Sequence, residues 1–255
     1  MISSIFHSIL YRPLFNFFVW LYNVLPGHDI GAVIVIVTVL LRLAVYPLTN
    51  SSIKGQRAMQ SLQPKLEALK KQYAGDQQKI AQATMELYKE SKVNPLASCL
   101  PLLVQLPILL ALYWVMRDVL SGNNLAAQLY SFVFNPGTVS PMTLGIFNLL
   151  NPSIVLALLA GGAQFLQAKT LSRQMPPPNA GSGAKDESMA AMMNKQMLYM
   201  MPVMTVLIGS RMPSGLTLYW FWSTALMAAQ QFYVAYKEKK NTTPTTVLEG
   251  EVVKK

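Results

Sequence analysis

The sequence predicts an all-α polytopic membrane protein: five transmembrane helices, a cytoplasmic antiparallel helical hairpin and an N-terminal interfacial amphipathic helix. Three observations predict it. Hydrophobic residues make up 52% of the 255 and charged residues only 13%, about half the charged share of a soluble domain. The apolar residues are gathered in blocks, several of which reach the roughly 20 residues that a helix needs to cross hydrocarbon. Lysine and arginine, finally, are distributed very unequally between the two sides of those blocks, which selects one orientation.

Residues 1–25 resemble a signal sequence superficially. No basic residue precedes the apolar run, however, and no small-residue cleavage site follows it. His7, Arg12, Pro13 and Asn16 interrupt any apolar span of about 18 residues. Leu14, Phe17, Phe18, Leu21 and Leu25 recur at helical spacing, with Trp20 and Tyr22 beside them. That pattern predicts a helix lying in the membrane interface; an uncleaved extra span is the alternative.

Five apolar spans follow: 30–49, 96–119, 153–171, the short 196–210, and 216–236. The turn Arg211-Met212-Pro213-Ser214-Gly215 is so tight that the last two must be antiparallel neighbours. Between the first two lies a 51–94 segment with its own pattern. Leu62, Leu66, Leu69 and Tyr73 form one helical stripe, and Ile80, Ala83, Leu87 and Tyr88 a second. Gly75-Asp76 supplies a turn between them, and Pro64 starts or kinks the first helix. The outer loop 120–152 contains partly apolar pieces, 129–134 and 142–150, which fit short interfacial helices without requiring them. The 172–195 segment reads as a Pro/Gly/Ser-rich linker, and 237–255 as a basic disordered tail.

Orientation comes from counting. The 50–95 loop carries eight Lys and Arg, the 169–195 segment four and the tail five, against only Arg12, Arg117 and Arg211 on the other side. The basic loops belong in the cytoplasm, so the N-terminus is outside and the C-terminus inside. The net charge of +10 therefore reads as basic loops rather than as a nucleic-acid footprint. The weakly basic tail could touch RNA or anionic lipid equally well.

Other function classes fit poorly. Cys99 is the single cysteine, which excludes an intramolecular disulfide framework and a thiolate cluster. His7 and His28 lie outside the spans, so no Ser–His pair forms within the membrane. A secondary transporter usually shows internal repeats, and none is visible. No nucleotide motif occurs, and neither a metal nor a cofactor is expected.

Arg42 is the most informative residue. It lies inside the first span, about 10 Å from its cytoplasmic end. A guanidinium at mid-membrane costs roughly 2.5–3.5 kcal/mol on insertion scales, so it must reach water, a partner or a function. Snorkelling to the interface is the simple alternative. Thr38 lies one turn earlier on the same face, Gln105 in the second span, Gln164 and Gln167 on one face of the third, and Ser223 in the fifth. No carboxylate lies deep enough to pair with Arg42. Each glutamine singly could be interhelical glue, but polar groups on several helices without an acid point to a hydrated cavity. Seven of the 15 methionines fall between Met189 and Met204. Met193, Met197 and Met200 are candidates, with Tyr219, for a surface adaptable to unrelated apolar helices; ordinary packing is the alternative.

The span TVLLRLAVYPLT (38–49) resembles the arginine-bearing span of the YidC insertases. NPLASCLPLLVQLPILLALYW (94–114) is similar to that family's most recognisable motif, and PSGLTLYWFWS (213–223) resembles its last span. The resemblance covers roughly residues 1–236, hairpin and five-span layout included. It implies that Arg42 is the cation of a hydrophilic groove open to cytoplasm and lipid, with Thr38 one turn before it and Gln167 and Trp220 lining it. Gln164 competes with Gln167 for that place. It implies an insertase and folding chaperone of the bacterial plasma membrane that needs no nucleotide. The implied partners are nascent membrane proteins and the bilayer, with the ribosome, a targeting factor and the Sec translocon as candidates, and no small-molecule substrate. The chain differs from long Gram-negative members, where a large periplasmic domain precedes this core, and from lipoprotein-type members with an N-terminal cysteine.

Overall fold

The computed structural model describes residues 5–94, 100–122, 125–172 and 196–241. A π-helical turn, His7–Tyr11, leads into α1 (Arg12–Val24). Then come α2 (Ile30–Ala44), α3 (Tyr46–Ser61), α4 (Gln63–Gln72), α5 (Gln77–Glu90), α6 (Leu100–Ser121) and the single-turn α7 (Leu125–Gln128). A small hairpin of β1 (Met142–Thr143) and β2 (Phe147–Asn148) precedes α8 (Ile154–Ser172). A second π-helical turn, Gln196–Met200, opens α9 (Met201–Gly209), and α10 (Ser214–Asn241) closes the described chain.

The first span differs from expectation. Its helix ends at Ala44 rather than Thr49, and the chain resumes as α3 at an angle of 65°. Pro47 is the cause: its nitrogen cannot donate to the Leu43 carbonyl, its ring crowds the preceding turn, and Tyr46 is disfavoured from continuing the helix. The 51–94 segment is consequently more than a hairpin. It begins with the second half of α3, which carries no sustained apolar stripe and so gave no helical signal. The hairpin itself is α4 and α5. Pro64 sits in the first turn of α4, where its missing N–H is one the helix would leave unbonded anyway. Gly75 adopts φ +93°, and Asp76 caps α5 by accepting from the Lys79 amide at 3.1 Å.

Among the described residues, Leu103–Ser121 is long and apolar enough to cross a membrane alone, and α2 together with Tyr46–Met59 forms a bent second candidate. Ile154–Thr170 and Leu198–Gly209 are shorter apolar helices. The outer loop is not helical at 129–134 or 142–150. It forms α7, an irregular stretch and the β-hairpin, in which Met142 lies opposite Asn148 and Thr143 opposite Phe147.

The main apolar cluster joins α1, α2, α6, the outer loop and the start of α10. Phe15, Phe18 and Val19 meet Ile30, Val33, Ile34, Val37, Leu112, Val115, Leu149 and Leu216 there. Three of the five residues of the α1 stripe, Leu14, Phe18 and Leu21, are buried in this protein core. Close approach elsewhere relies on glycine. A Cβ on Gly161 of α8 would meet Val206 Cγ2 of α9 at 2.4 Å, and α10 lies against both helices. The first amides of α10 are satisfied by the loop: Ser214 donates to the Asn151 carbonyl at 3.1 Å and Gly215 to that of Leu149 at 3.0 Å.

Asp29 fastens the β-hairpin to the start of α2. Its carboxylate accepts from Thr143 Oγ1 at 2.6 Å, from the Leu144 amide at 2.7 Å and from the Ala32 amide at 3.0 Å. Partial burial pushes its pKa up, but these hydrogen bonds outweigh it and hold the carboxyl below its ordinary value. A depressed folded pKa means that the clamp contributes fully above the unfolded value, roughly pH 4, and fades as pH falls through the folded one. Hydrogen exchange at the Leu144 amide is expected to stay slow from neutral pH to about 4 and to lose protection below that. In Asp29→Asn the protection should be weaker and independent of pH over that range; a pH-dependent loss persisting in the variant would assign the transition to another group.

Candidate functional site

The buried part of the apolar cluster ends at Val37 on α2, at Ile108 on α6 and at Tyr219 on α10, with half-buried Leu41, Val45 and Val104 packed beyond it. The next turns towards the basic end of the bundle bring in polar groups: Thr38 and Arg42 on α2, Gln105 on α6, Ser223 and Thr224 on α10. This change of character comes from sequence spacing. Thr38 and Arg42 are one turn apart on α2, and Trp220, Ser223 and Met227 recur at i, i+3 and i+7 on α10.

Arg42 crosses the α2–α10 interface. Its Nε donates to Ser223 Oγ at 3.0 Å, Nη2 reaches the same oxygen, and Nη1 lies 3.5 Å from Met227 Sδ. Ser223 is buried, whereas Arg42 is only half-buried. One hydroxyl and one thioether satisfy little of a fork with five donors. Among the described residues no carboxylate pairs with Arg42; the carboxylates of Asp76 and Asp118 pair with Lys79 and Arg117 instead.

The structure brings some expected residues together and leaves others apart. Thr38 is fully buried, but its hydroxyl is committed to its own helix, donating to the Ile34 carbonyl at 2.6 Å. Gln105 does not bond Arg42; its Nε2 donates to the Tyr219 hydroxyl at 2.7 Å. Tyr219 is buried, one turn before Ser223 on the same helix. Gln105, Tyr219, Ser223 and Arg42 therefore lie along one polar seam linking α6, α10 and α2. Trp220 is half-buried on the Ser223–Met227 face. Gln164 and Gln167 are half-buried on α8, on a helix that packs against α9 and α10. Met200 is exposed beside exposed Tyr199, Met201, Val203 and Met204. Met197 falls in the π-helical turn, and Met193 lies outside the described residues.

Sequence reasoning missed the lower seam. Thr49 Oγ1 donates to Gln230 Oε1 at 3.1 Å, Gln230 Nε2 donates to the Tyr46 carbonyl at 3.3 Å, and Arg57 Nη2 donates to the Gln231 carbonyl at 2.8 Å. These contacts bind α3 to the far half of α10, and Ser52 and Ile53 are buried beside them. The adjacent Gln230-Gln231 pair in an otherwise apolar helix was the available signal.

Such a seam can hold a cation close to hydrocarbon. Leu40, Leu43, Leu103, Leu106 and Leu110 are all exposed on the flanking helices, so an anion approaching Arg42 would leave much of its water behind. In that setting a charge pair about 4 Å apart is worth about 4 kcal/mol at an effective dielectric near 20, against about 1 kcal/mol in water.

Residues 20–241 match a family model described as 60Kd inner membrane protein. A curated relative, membrane protein insertase YidC of Fusobacterium nucleatum subsp. nucleatum, is 36% identical over 232 residues, covering 90% of this chain and 98% of its own length. Those of Legionella pneumophila (strain Corby) and Thioalkalivibrio sulfidiphilus are 35% and 32% identical over 81% and 91% of this chain. The chain spans only 32% and 36% of their lengths. Among solved structures, an active YidC insertase with its first transmembrane domain resolved superposes with a TM-score of 0.57 at 26% identity. That match covers 89% of this chain and 46% of the other.

Proposed function

The chain belongs to the 60Kd inner membrane protein family, that of the YidC insertases, and from that premise we propose that it inserts other proteins into the bilayer through the Arg42 seam. The observation that carries the reading is the placement of Arg42, between α2 and α10, without a carboxylate partner among the described residues. A cation kept at that cost marks a functional site, and with no acid beside it a substrate's charge is its natural partner.

In this reading α2, α6, α8, α9 and α10 are the five spans, α1 lies in the outer interface, and the α4–α5 hairpin projects into the cytoplasm. The seam is a groove open to cytoplasm and lipid. A substrate's acidic or polar tail enters from the cytoplasm, and Arg42 offers it a charge partner part-way across about 30 Å of hydrocarbon. The substrate's apolar segment meanwhile moves along α2 and α10, past Tyr219 and the methionine-rich face of α9, into lipid. Burial at about 25 cal/mol per Å² of apolar surface drives the step, so no nucleotide is consumed. Nascent membrane proteins are the substrates; the hairpin and basic tail are the natural places for a ribosome, a targeting factor or the Sec translocon to deliver them.

The test is reconstitution of the purified protein into liposomes, followed by protease protection of a small single-span substrate with a short acidic tail. Protection well above that in empty liposomes is expected. A folded, correctly oriented protein that gives none would overturn unaided insertion.

A further inference from the structure

The outer loop is unusual in its chemistry. No charged residue occurs between Asp118 and Lys169, whereas about a quarter of an ordinary soluble segment would be charged. The loop nevertheless holds large apolar side chains away from the protein. Phe132 is 78% exposed, Phe134 77%, Leu144 77% and Ile146 71%, while Val133, Val139 and Leu149 of the same loop are buried in the core.

These tips are fixed in place. Phe132 stacks on Tyr130 at 5.5 Å, and the Tyr130 ring in turn lies 5.0 Å from the Arg12 guanidinium. The Phe134 carbonyl accepts from Asn23 Nδ2 at 2.7 Å. At the other tip the Ile146 amide closes a turn onto the Thr143 carbonyl at 3.0 Å, and Leu144 and Gly145 have φ of +51° and +68°. A turn with two successive positive φ values favours Asn-Gly, both for backbone strain and for solubility. Leucine at its first position is costly in water on both counts. The choice makes sense if that side chain faces hydrocarbon.

We propose that the outer loop is inserted in the outer leaflet of the bilayer, with Phe132, Phe134, Leu144 and Ile146 as its anchors. The surface is continuous with that of α1: Asn23 ties Phe134 to the end of the helix that exposes Trp20 and Val24. A charge-free loop pays no ionic desolvation on entering the interface, and large apolar side chains such as Phe and Leu are the ones that bury at the headgroup–acyl boundary. Lipid is the occupant: the exposed polar neighbours Ser131, Asn135, Thr138 and Ser140 are all uncharged, whereas a surface facing water ordinarily carries charge. The inference rests on the membrane-spanning arrangement proposed above.

Nitroxide labels at Phe134→Cys and at Leu144→Cys, each in a full-length Cys99→Ser background, would test it in vesicles of phosphatidylcholine and phosphatidylglycerol. Collision with oxygen reports lipid, and collision with a chelated nickel salt reports water. Labels at Leu158→Cys on α8 and Met85→Cys on α5 give the lipid and water references. Oxygen-to-nickel ratios at 134 and 144 several-fold above that at 85, and approaching that at 158, are expected. Ratios matching 85 while 158 stays in lipid would overturn the inserted loop but keep the spanning arrangement. Protection from both reagents would also overturn it, in favour of a protein cover. Nickel access at 158 itself would remove the spanning arrangement and the inserted loop with it.

Discussion

Replacing Arg42 with glutamate is expected to abolish insertion of substrates with short acidic tails while sparing those with neutral tails. The substitution converts an attraction into a repulsion at the same point. At about 6 Å and an effective dielectric near 20, each is worth roughly 3 kcal/mol. Even if hydration removes most of that swing, about 1.4 kcal/mol is a factor of ten in rate. Protease protection of a matched pair of substrates, identical except for tail charge, reads the difference directly. Arg42→Ala should fall between the two forms. Arg42→Lys should keep much of the acidic-tail preference, because a point cation still attracts, though it cannot offer the guanidinium fork. Equal losses for both tails in Arg42→Glu would mean that Arg42 holds α2 against α10 through Ser223 and Met227, and that its charge does not meet the substrate.

That alternative shows where the sequence was sufficient and where it was not. Arg42 stood out because a lone cation in an apolar block is costly, a judgement that needs no coordinates. The hairpin was equally plain, since the stripe of Leu62, Leu66, Leu69 and Tyr73 has a helical period and Gly75 marks its turn. What Arg42 touches was not legible. Ser223 and Met227 lie more than 180 residues away in the chain, and helical periodicity says which face is apolar but not which helix covers it. Gln105 shared the polar character of the seam, yet its partner is Tyr219 rather than the arginine. The bend after Ala44 was readable from Pro47 in principle, but an apolar count through Thr49 masks it. The outer loop was least legible. Its order comes from single side chains, Asp29 and Asn16, each bonding backbone more than 110 residues away.

Asn16 leads to the second large effect. In the sequence it merely interrupts an apolar run; in the structure it is 2% exposed and ties α1 to the outer loop. Its Nδ2 donates to the Arg12 carbonyl at 2.8 Å and to the Gln128 carbonyl at 3.0 Å, and its Oδ1 accepts from the Tyr130 amide at 2.6 Å. Asn16→Ala is expected to leave the Tyr130 amide without a partner and the Gln128 carbonyl with only the long contact to Arg12 Nε at 3.4 Å. Each buried orphan costs about 1–3 kcal/mol, so the loss should total several kcal/mol and lower the thermal unfolding midpoint in detergent by several degrees. Asn16→Leu should fare no better, since filling the volume does not restore the bonds. Asn16→Asp should also destabilise, because a carboxylate can still accept from Tyr130 but faces the Arg12 and Gln128 carbonyls with no donor of its own. If all three variants kept the native midpoint, the loop would hold its place by Leu125 and Val133 packing alone, and the polar tie would be incidental. Whichever holds, the preference for acidic tails should survive in the folded fraction, because Asn16 bonds α1 to the Gln128–Tyr130 stretch, apart from the α2–α10 seam. Stability falling while charge preference persists would separate the framework of this protein from its site.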